Sequence, residues 1–345
     1  MPNGPDTPHT AWHGSGPAGE ATVLADRPDG TVVRCGPVVA KAHAPAAGPG
    51  EPAALAARLR FAAGPRAAGI LLPPLMPEPG VLPGGRLMTL WPYGVPVCPD
   101  RPEAVPWEEA GALLARLHTL PCDDLPLPLP PMRGPAKAAL AVARLTASPA
   151  GGTAAADAVL RAWAGLPPWA RAEAPAPAAR AETPRPRGSG RPPAPGARVE
   201  APGPVARCDG PAPGSRAVCH GDLHLGQLVR HPAPDGPWVL IDIDDLGLGD
   251  PAWDLARPAA WYAAGLLAPG EWNRLLTAYR DAGGPAVGFG DDPWPALDVP
   301  ARALTVQSAA TALAKAAAAR VGLDEAAEAM VDACARIARL PEAVG

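Results

Sequence analysis

Two short runs, QLV at 227–229 and VLI at 239–241, are separated by the nine residues "RHPAPDGPW". Short strand-like runs separated by Pro, Asp and Gly read as a pair of strands joined by a turn. This small unit carries an unusual load of carboxylates. Asp222, Asp242, Asp244, Asp245 and Asp250 all fall within 29 positions, in a chain otherwise dominated by Ala, Pro, Arg and Gly. The strand reading places Asp222 in the loop entering the first strand and Asp242 at the exit of the second, with the Gln227 amide five residues after Asp222. Hard oxygens converging at strand ends suit Mg²⁺, which takes a few such ligands and keeps its waters. They also suit phosphoryl transfer, which needs positioning and charge neutralisation more than covalent chemistry.

The rest of the chain frames this unit. Residues 21–43 hold three β-branched runs punctuated by Pro28-Asp29-Gly30 and Gly36-Pro37, an antiparallel meander ending at Lys41. Residues 50–64 read as a helix with Leu55, Leu59 and Ala62 on one face and Gly64 as its stop. "GILLPPLMPEPG" and "GRLMTLWPYG" read as two further strands. From Trp107 the periodicity is helical: "WEEAGALLARLHTL", "AKAALAVARLTA" and "AAADAVLRAWAGL" precede the carboxylate-rich stretch, and four more helical segments follow it from Pro251.

Between them, residues 170–217 contain almost no large apolar side chain and carry eight Arg against four acids. Such a segment cannot offset the entropy of ordering, so a disordered insertion is expected. Fifty-one Pro and 38 Gly fit that expectation.

Several function classes are disfavoured. A net charge of −4 gives no basic footprint, so no nucleic-acid partner is expected. No apolar run is long enough to span a bilayer, and residues 1–19 lack a signal-peptide pattern. Six scattered cysteines without a CxxC pair fit neither a zinc ribbon nor a disulfide scaffold, which points to a cytoplasmic protein. Cys219, His220 and His224 lack a fourth ligand at zinc spacing. Only Lys41, Lys137 and Lys315 are lysines; every other basic residue is Arg, so each lysine is worth inspecting.

"HGDLHLGQ" followed by "IDIDDLGLGDPAWDLA" resembles the aminoglycoside phosphotransferase family, which includes choline, homoserine and macrolide kinases. The family pattern is H-G-D-x-x-x-x-N, then I-D-[FW]-x-x-x-x-x-G-D-P-x-x-D-[LI]-A. The resemblance implies an α+β, two-lobed protein-kinase-like fold with a small antiparallel-sheet N-lobe and a mainly helical C-lobe. Beside the flexible tail read at 1–19 and the insertion at 170–217, it implies a nucleotide-binding N-lobe at 20–92, the first part of the C-lobe at 93–169, and the catalytic loop, metal motif and last helices at 218–345.

The function implied is ATP- and Mg²⁺-dependent phosphorylation of a hydroxyl on a small molecule. His220 and Asp222 correspond to the catalytic loop, Asp242 and Gln227 to the metal ligands, and Asp254 to a buried aspartate bracing the loop. Lys41 corresponds to the phosphate-binding lysine, Glu51 is the one acid in the helix that would partner it, and Trp91 lies near the inter-lobe hinge that reads adenine. Three departures stand out. Gln227 replaces Asn, Glu51 opens its helix, and only "RPDG" occupies the place of a glycine-rich loop. They leave open an alternative, a catalytically degenerate kinase-like nucleotide-binding module, or a scaffold whose Pro/Arg insertion recruits a partner.

Overall fold

A computed structural model describes residues 21–173 and 216–340, apart from positions 28–29, 46–47, 49, 99, 102–103, 123–127, 289 and 291. The tail at 1–19 and nearly all of the expected insertion lie outside the described residues.

The N-lobe is built on the meander. Strands β1 (Ala21–Arg27), β2 (Gly30–Cys35) and β3 (Val38–His43) pair antiparallel in sequence order. The β2–β3 turn is two residues long, since Cys35 pairs with Val38, and Gly36 meets its need for a left-handed residue with φ of 56°. Helix α1 (Glu51–Ala62) follows and buries Leu55, Leu59 and Ala62, the face its spacing indicates. Strands β4 (Gly80–Val81) and β5 (Leu87–Pro92) complete a five-stranded sheet of order β1-β2-β3-β5-β4.

The strand expected over 69–80 does not form along its length. Pro73, Pro74, Pro77 and Pro79 remove the N–H groups a ladder needs. Its first residues pair with the other lobe: Leu240 N donates to Ile70 O at 2.8 Å and Leu72 N donates to Leu240 O at 2.8 Å, while Leu75 N donates to Leu90 O and Gly80 alone enters β4.

The C-lobe is mainly helical. Strand β6 (Val95–Pro96) carries the chain across and pairs with β8 (Leu228–Arg230), which pairs in turn with β9 (Trp238–Leu240) as the anticipated hairpin. Helices α2 (Trp107–His118), α3 (Gly134–Ala147) and α4 (Ala154–Ala164) precede the expected insertion. Strands β7 (Ala217–Cys219) and β10 (Gly247–Gly249) pair antiparallel, and α5 (Ala252–Ala264), α6 (Pro269–Asp281), α7 (Trp294–Ala319) and α8 (Glu325–Ile337) close the lobe.

The 26-residue α7 is the spine, touching α3, α4, α5 and α8. Helix α2 buries Leu113, Leu114 and Leu117, each contributing ~1.5–3 kcal/mol by burial. It packs against α6 so closely that a Cβ on Gly111 would lie 2.3 Å from Leu275 O. Among the described residues no helix is long and apolar enough to cross a membrane.

Candidate active site

The HGD loop leaves β7 and is fixed from below by Asp254 in the first turn of α5. Asp254 Oδ2 accepts the His220 N–H at 2.6 Å, and Oδ1 accepts the Gly221 N–H at 2.7 Å. His118 Nε2 lies 2.9 Å from the same Oδ2, and His118 Nδ1 lies 2.8 Å from the Tyr279 hydroxyl. The hydroxyl accepts from Ala286 N at 3.0 Å, so its own hydrogen goes to His118 Nδ1 and the imidazole proton sits on Nε2, facing Asp254.

Burial alone would push the Asp254 carboxyl up, but the hydrogen bond from His118 and the charge around it outweigh that and hold it low. His118, Cys219 and Asp254 come close enough to suggest a metal cluster. Asp254 already accepts three N–H hydrogen bonds, and burial pushes the Cys219 thiol well up, which disfavours the thiolate a metal would need.

Gly221 adopts φ of 85°, and a Cβ there would lie 2.4 Å from Asp245 O, so the loop requires glycine at this point. His220 is fully buried and donates from Nε2 to Ile241 O at 2.7 Å, tying the loop to the segment that carries Asp242. Asp222 faces outward. Its Oδ1 is 2.5 Å from Arg257 Nη2 on α5, and its Oδ2 is 3.0 Å from Lys137 Nζ on α3. Burial would raise its pKa; the charges of Lys137 and Arg257 override this and hold it below the usual carboxylate range.

Asp242 stands two residues beyond β9 with a left-handed φ of 63°, a backbone state that non-glycine residues rarely adopt and that clusters at functional sites. Lys41 Nζ reaches across from β3 to Asp242 Oδ1 at 2.7 Å and Asp244 Oδ2 at 2.8 Å. Burial would lower the Lys41 pKa, but Asp244 and Asp242 outweigh it and raise it. Asp244 also lies 3.4 Å from His43 Nδ1. It is held low because the hydrogen bond from His43 and the charge of Lys41 overcome its burial.

Gln227 is buried, with its amide nitrogen placed 3.4 Å from Asp242 Oδ2 and 3.1 Å from His224 Nε2. Gly226 N–H points at His224 Nδ1 at 3.0 Å, which makes Nδ1 the acceptor and puts the ring proton on Nε2. That proton needs an acceptor, and turning the Gln227 amide over supplies Oε1. The same turn sets two oxygens, Gln227 Oε1 and an Asp242 carboxylate oxygen, side by side. This is the hard donor set that fits Mg²⁺.

The structure thus brings together Lys41, Asp242 and Gln227, and ties His220 to the same segment. Glu51 is exposed in the first turn of α1, within electrostatic reach of Arg58. The Trp91 side chain is buried and donates from Nε1 to Thr89 Oγ1 at 3.0 Å, so only its backbone could face a nucleotide. His224 caps the short turn that holds Gln227.

Sequence reasoning did not find Arg257 and Lys137 on Asp222, nor Asp244 on Lys41. Arg257 follows Asp254 by three positions on α5, a spacing that could have flagged it. A small apolar cleft beside the loop is lined by Trp107, Leu223, His224, Leu225, Arg257 and Trp261.

Comparison with known proteins bears on the family and the fold. A sequence profile described as "APH: Phosphotransferase enzyme family" matches residues 81–297. No curated protein matches the chain significantly. Among solved structures, a choline/ethanolamine kinase family protein from Mesorhizobium loti is 17% identical over 95% of this chain and 91% of its own, with a TM-score of 0.52. Aminoglycoside phosphotransferase APH(4)-Ia is 11% identical over 94% of both chains, with a TM-score of 0.55. A thermostable mutant of that enzyme, in a ternary complex with AMP-PNP and hygromycin B, is 13% identical over 94% of this chain and 96% of its own, with a TM-score of 0.54. These likenesses establish the two-lobed kinase-like fold. With the profile spanning more than half of the chain, the protein belongs to the phosphotransferase enzyme family, as a small-molecule phosphotransferase.

Proposed function

We propose that the protein transfers the γ-phosphoryl group of ATP, with Mg²⁺, to a hydroxyl of a small molecule, an aminoglycoside-like antibiotic or a related metabolite. One observation carries this reading: Lys41 of the N-lobe sheet closes on Asp242 of the C-lobe, with the Gln227 amide beside it. A cation, a carboxylate and a side-chain amide from separate segments meet there, on a fold whose solved neighbours include an enzyme holding AMP-PNP and hygromycin B.

In this reading Asp242 and Gln227 are the residues that would hold Mg²⁺, which when bound supplies charge neutralisation to the phosphates. Lys41 contacts the phosphates once they displace it from the aspartates. Asp222 aligns the acceptor hydroxyl by accepting its hydrogen bond. The acceptor oxygen bonds to phosphorus, the bond from phosphorus to the β–γ bridging oxygen breaks, and the hydroxyl proton passes to Asp222. A carboxylate held below its usual range is a weak base, so its contribution is mainly alignment. His220 and Asp254 keep the loop in register. The cleft beside Asp222 is the place for the acceptor.

From Cys219 to the C-terminus 17 acids stand against 9 Lys and Arg, a net of about −8, which supports an amine-bearing acceptor. The cysteine spacing supports a cytoplasmic setting. The test is a panel of aminoglycosides, macrolides, amino alcohols and sugars incubated with MgATP, read by mass spectrometry. A gain of one phosphoryl group that needs both ATP and Mg²⁺ supports the reading. A wild-type protein that binds no Mg-nucleotide refutes it.

A further inference from the structure

Lys137 belongs to neither motif, yet it is one of three lysines in a chain whose other basic residues are all Arg. It enters the site from α3. Its Nζ stands 3.0 Å from Asp222 Oδ2 and 2.5 Å from Asp245 Oδ2, and its side chain is only 24% exposed. The start of α3 is rigidly placed. Leu248 N donates to Pro130 O at 2.9 Å and Met132 N to Leu248 O at 3.1 Å, so the lead-in is bonded to β10. A Cβ on Gly134 would lie 3.0 Å from the Trp253 ring.

Asp222 already has a cation on its other oxygen in Arg257. A second cation is more than one carboxylate needs, and it is shared with another carboxylate, the buried Asp245. Removing an ammonium from water is costly, so its placement here calls for a use.

We propose that Lys137 is a further catalytic residue, whose ammonium contacts the phosphoryl group in transfer while Asp245 holds it in place. The proposal rests on the phosphotransfer reading above. If Asp222 aligns the attacking oxygen, phosphorus must come within bonding reach of that oxygen. A cation 3.0 Å from Asp222 Oδ2 is then beside the group in flight. The transition state spreads negative charge over the equatorial phosphoryl oxygens, and a fixed cation in a partly dehydrated cleft favours it over the ground state. Lysine suits the task because its point charge and three donors can serve Asp222, Asp245 and a phosphoryl oxygen together. Lys137 keeps its protons throughout; the acceptor's proton still goes to Asp222.

The test uses the full chain and MgADP, with and without aluminium fluoride, a mimic of the planar phosphoryl group, measured by titration calorimetry. In wild type, fluoride complexation should tighten MgADP binding. In Lys137→Ala, MgADP affinity should stay near native while most of that tightening is lost, by about 10²-fold for one charge-stabilising donor. Lys137→Arg should restore part of it. Turnover of MgATP with water as acceptor should fall in parallel, with KM for ATP nearly unchanged. Native tightening in Lys137→Ala or Lys137→Met would reduce Lys137 to a structural counter-ion and overturn the proposal. Lys137→Met keeps the apolar stem should the Ala variant fold poorly. Absence of MgADP binding in wild type would overturn the phosphotransfer reading, and the proposal with it.

Discussion

Lys41 Nζ and Asp242 Oδ1 lie 2.7 Å apart, and this contact joins the N-lobe sheet to a left-handed residue of the C-lobe. Asp242 is anchored on both sides. His220 bonds to Ile241 O immediately before it, and the Asp244 N–H approaches Asp242 Oδ1 at 3.5 Å after it. Strain at that position is therefore held by its neighbours, and the carboxylate points where Lys41 and Gln227 converge.

The HGD loop gives the first prediction. Asp222→Asn should lower turnover by ~10²–10⁴-fold, the range for a positioned acid–base group, while ATP binding stays near native. Steady-state kinetics on a validated acceptor, beside nucleotide titration, would check both halves. Near-native turnover would remove Asp222 from its assigned role.

The proposed metal donors set an order. Gln227→Asn keeps the amide oxygen and should change the Mg²⁺ requirement least. Gln227→Leu replaces a hard ligand with an apolar group and should raise it sharply. Asp242→Ala removes the charged ligand and should be worst. Mg²⁺ titrations of ATP turnover rank the three; equal Mg²⁺ dependence in wild type and Gln227→Leu would exclude Gln227 from the metal site.

Asp254 concerns stability. Asp254→Ala leaves the His220 and Gly221 N–H groups and His118 Nε2–H buried without an acceptor, at ~1–3 kcal/mol each. Denaturant melts should show a loss of several kcal/mol. The pH dependence follows from the sign. The folded pKa of Asp254 is lowered, so its contribution is fully present above the unfolded value of about 3.9. It is lost as pH falls from there through the folded value. The gap between wild type and Asp254→Asn should therefore narrow below about pH 4. A pH-independent gap would mean the charge contributes nothing.

The proposed domain limits can be tested by deletion. Replacing residues 175–212 with a short Gly/Ser linker should leave the melting transition and turnover nearly unchanged. That stretch is too poor in large apolar residues to build a core, and loop closure costs only ~0.6 kcal/mol per doubling of length. A collapsed melting transition would show that it packs.

Much of this fold was legible locally. The β-branched runs of 21–43 and the Leu spacing in 107–120 each carry their own period, and the HGD and IDIDD segments announce Asp222 and Asp242. What was missed acts at a distance. Lys137 meets Asp222 from a separate helix, and His118 meets Asp254 and Tyr279 from another. Long-range ion pairs leave no periodicity, and only the rarity of lysine hinted at Lys137. The strand misread at 69–80 has the opposite cause. Its apolar content is real, but four prolines deny it a ladder, and Leu71 pairs with Leu240 instead.

The pairing of Leu240 with Ile70 and Leu72 bears on how a nucleotide arrives. The segment after α1 is stitched by two backbone bonds to the strand that ends two residues before Asp242. Tilting α1 should therefore carry Asp242 with it, so that the two walls of the cleft do not swing as independent leaves. Much of the ordering entropy is spent when the chain folds rather than when ligand docks, which favours fast association with little rearrangement. The amides of Leu72 and Leu240 should exchange with deuterium at one shared, slow rate, because a single opening event exposes both.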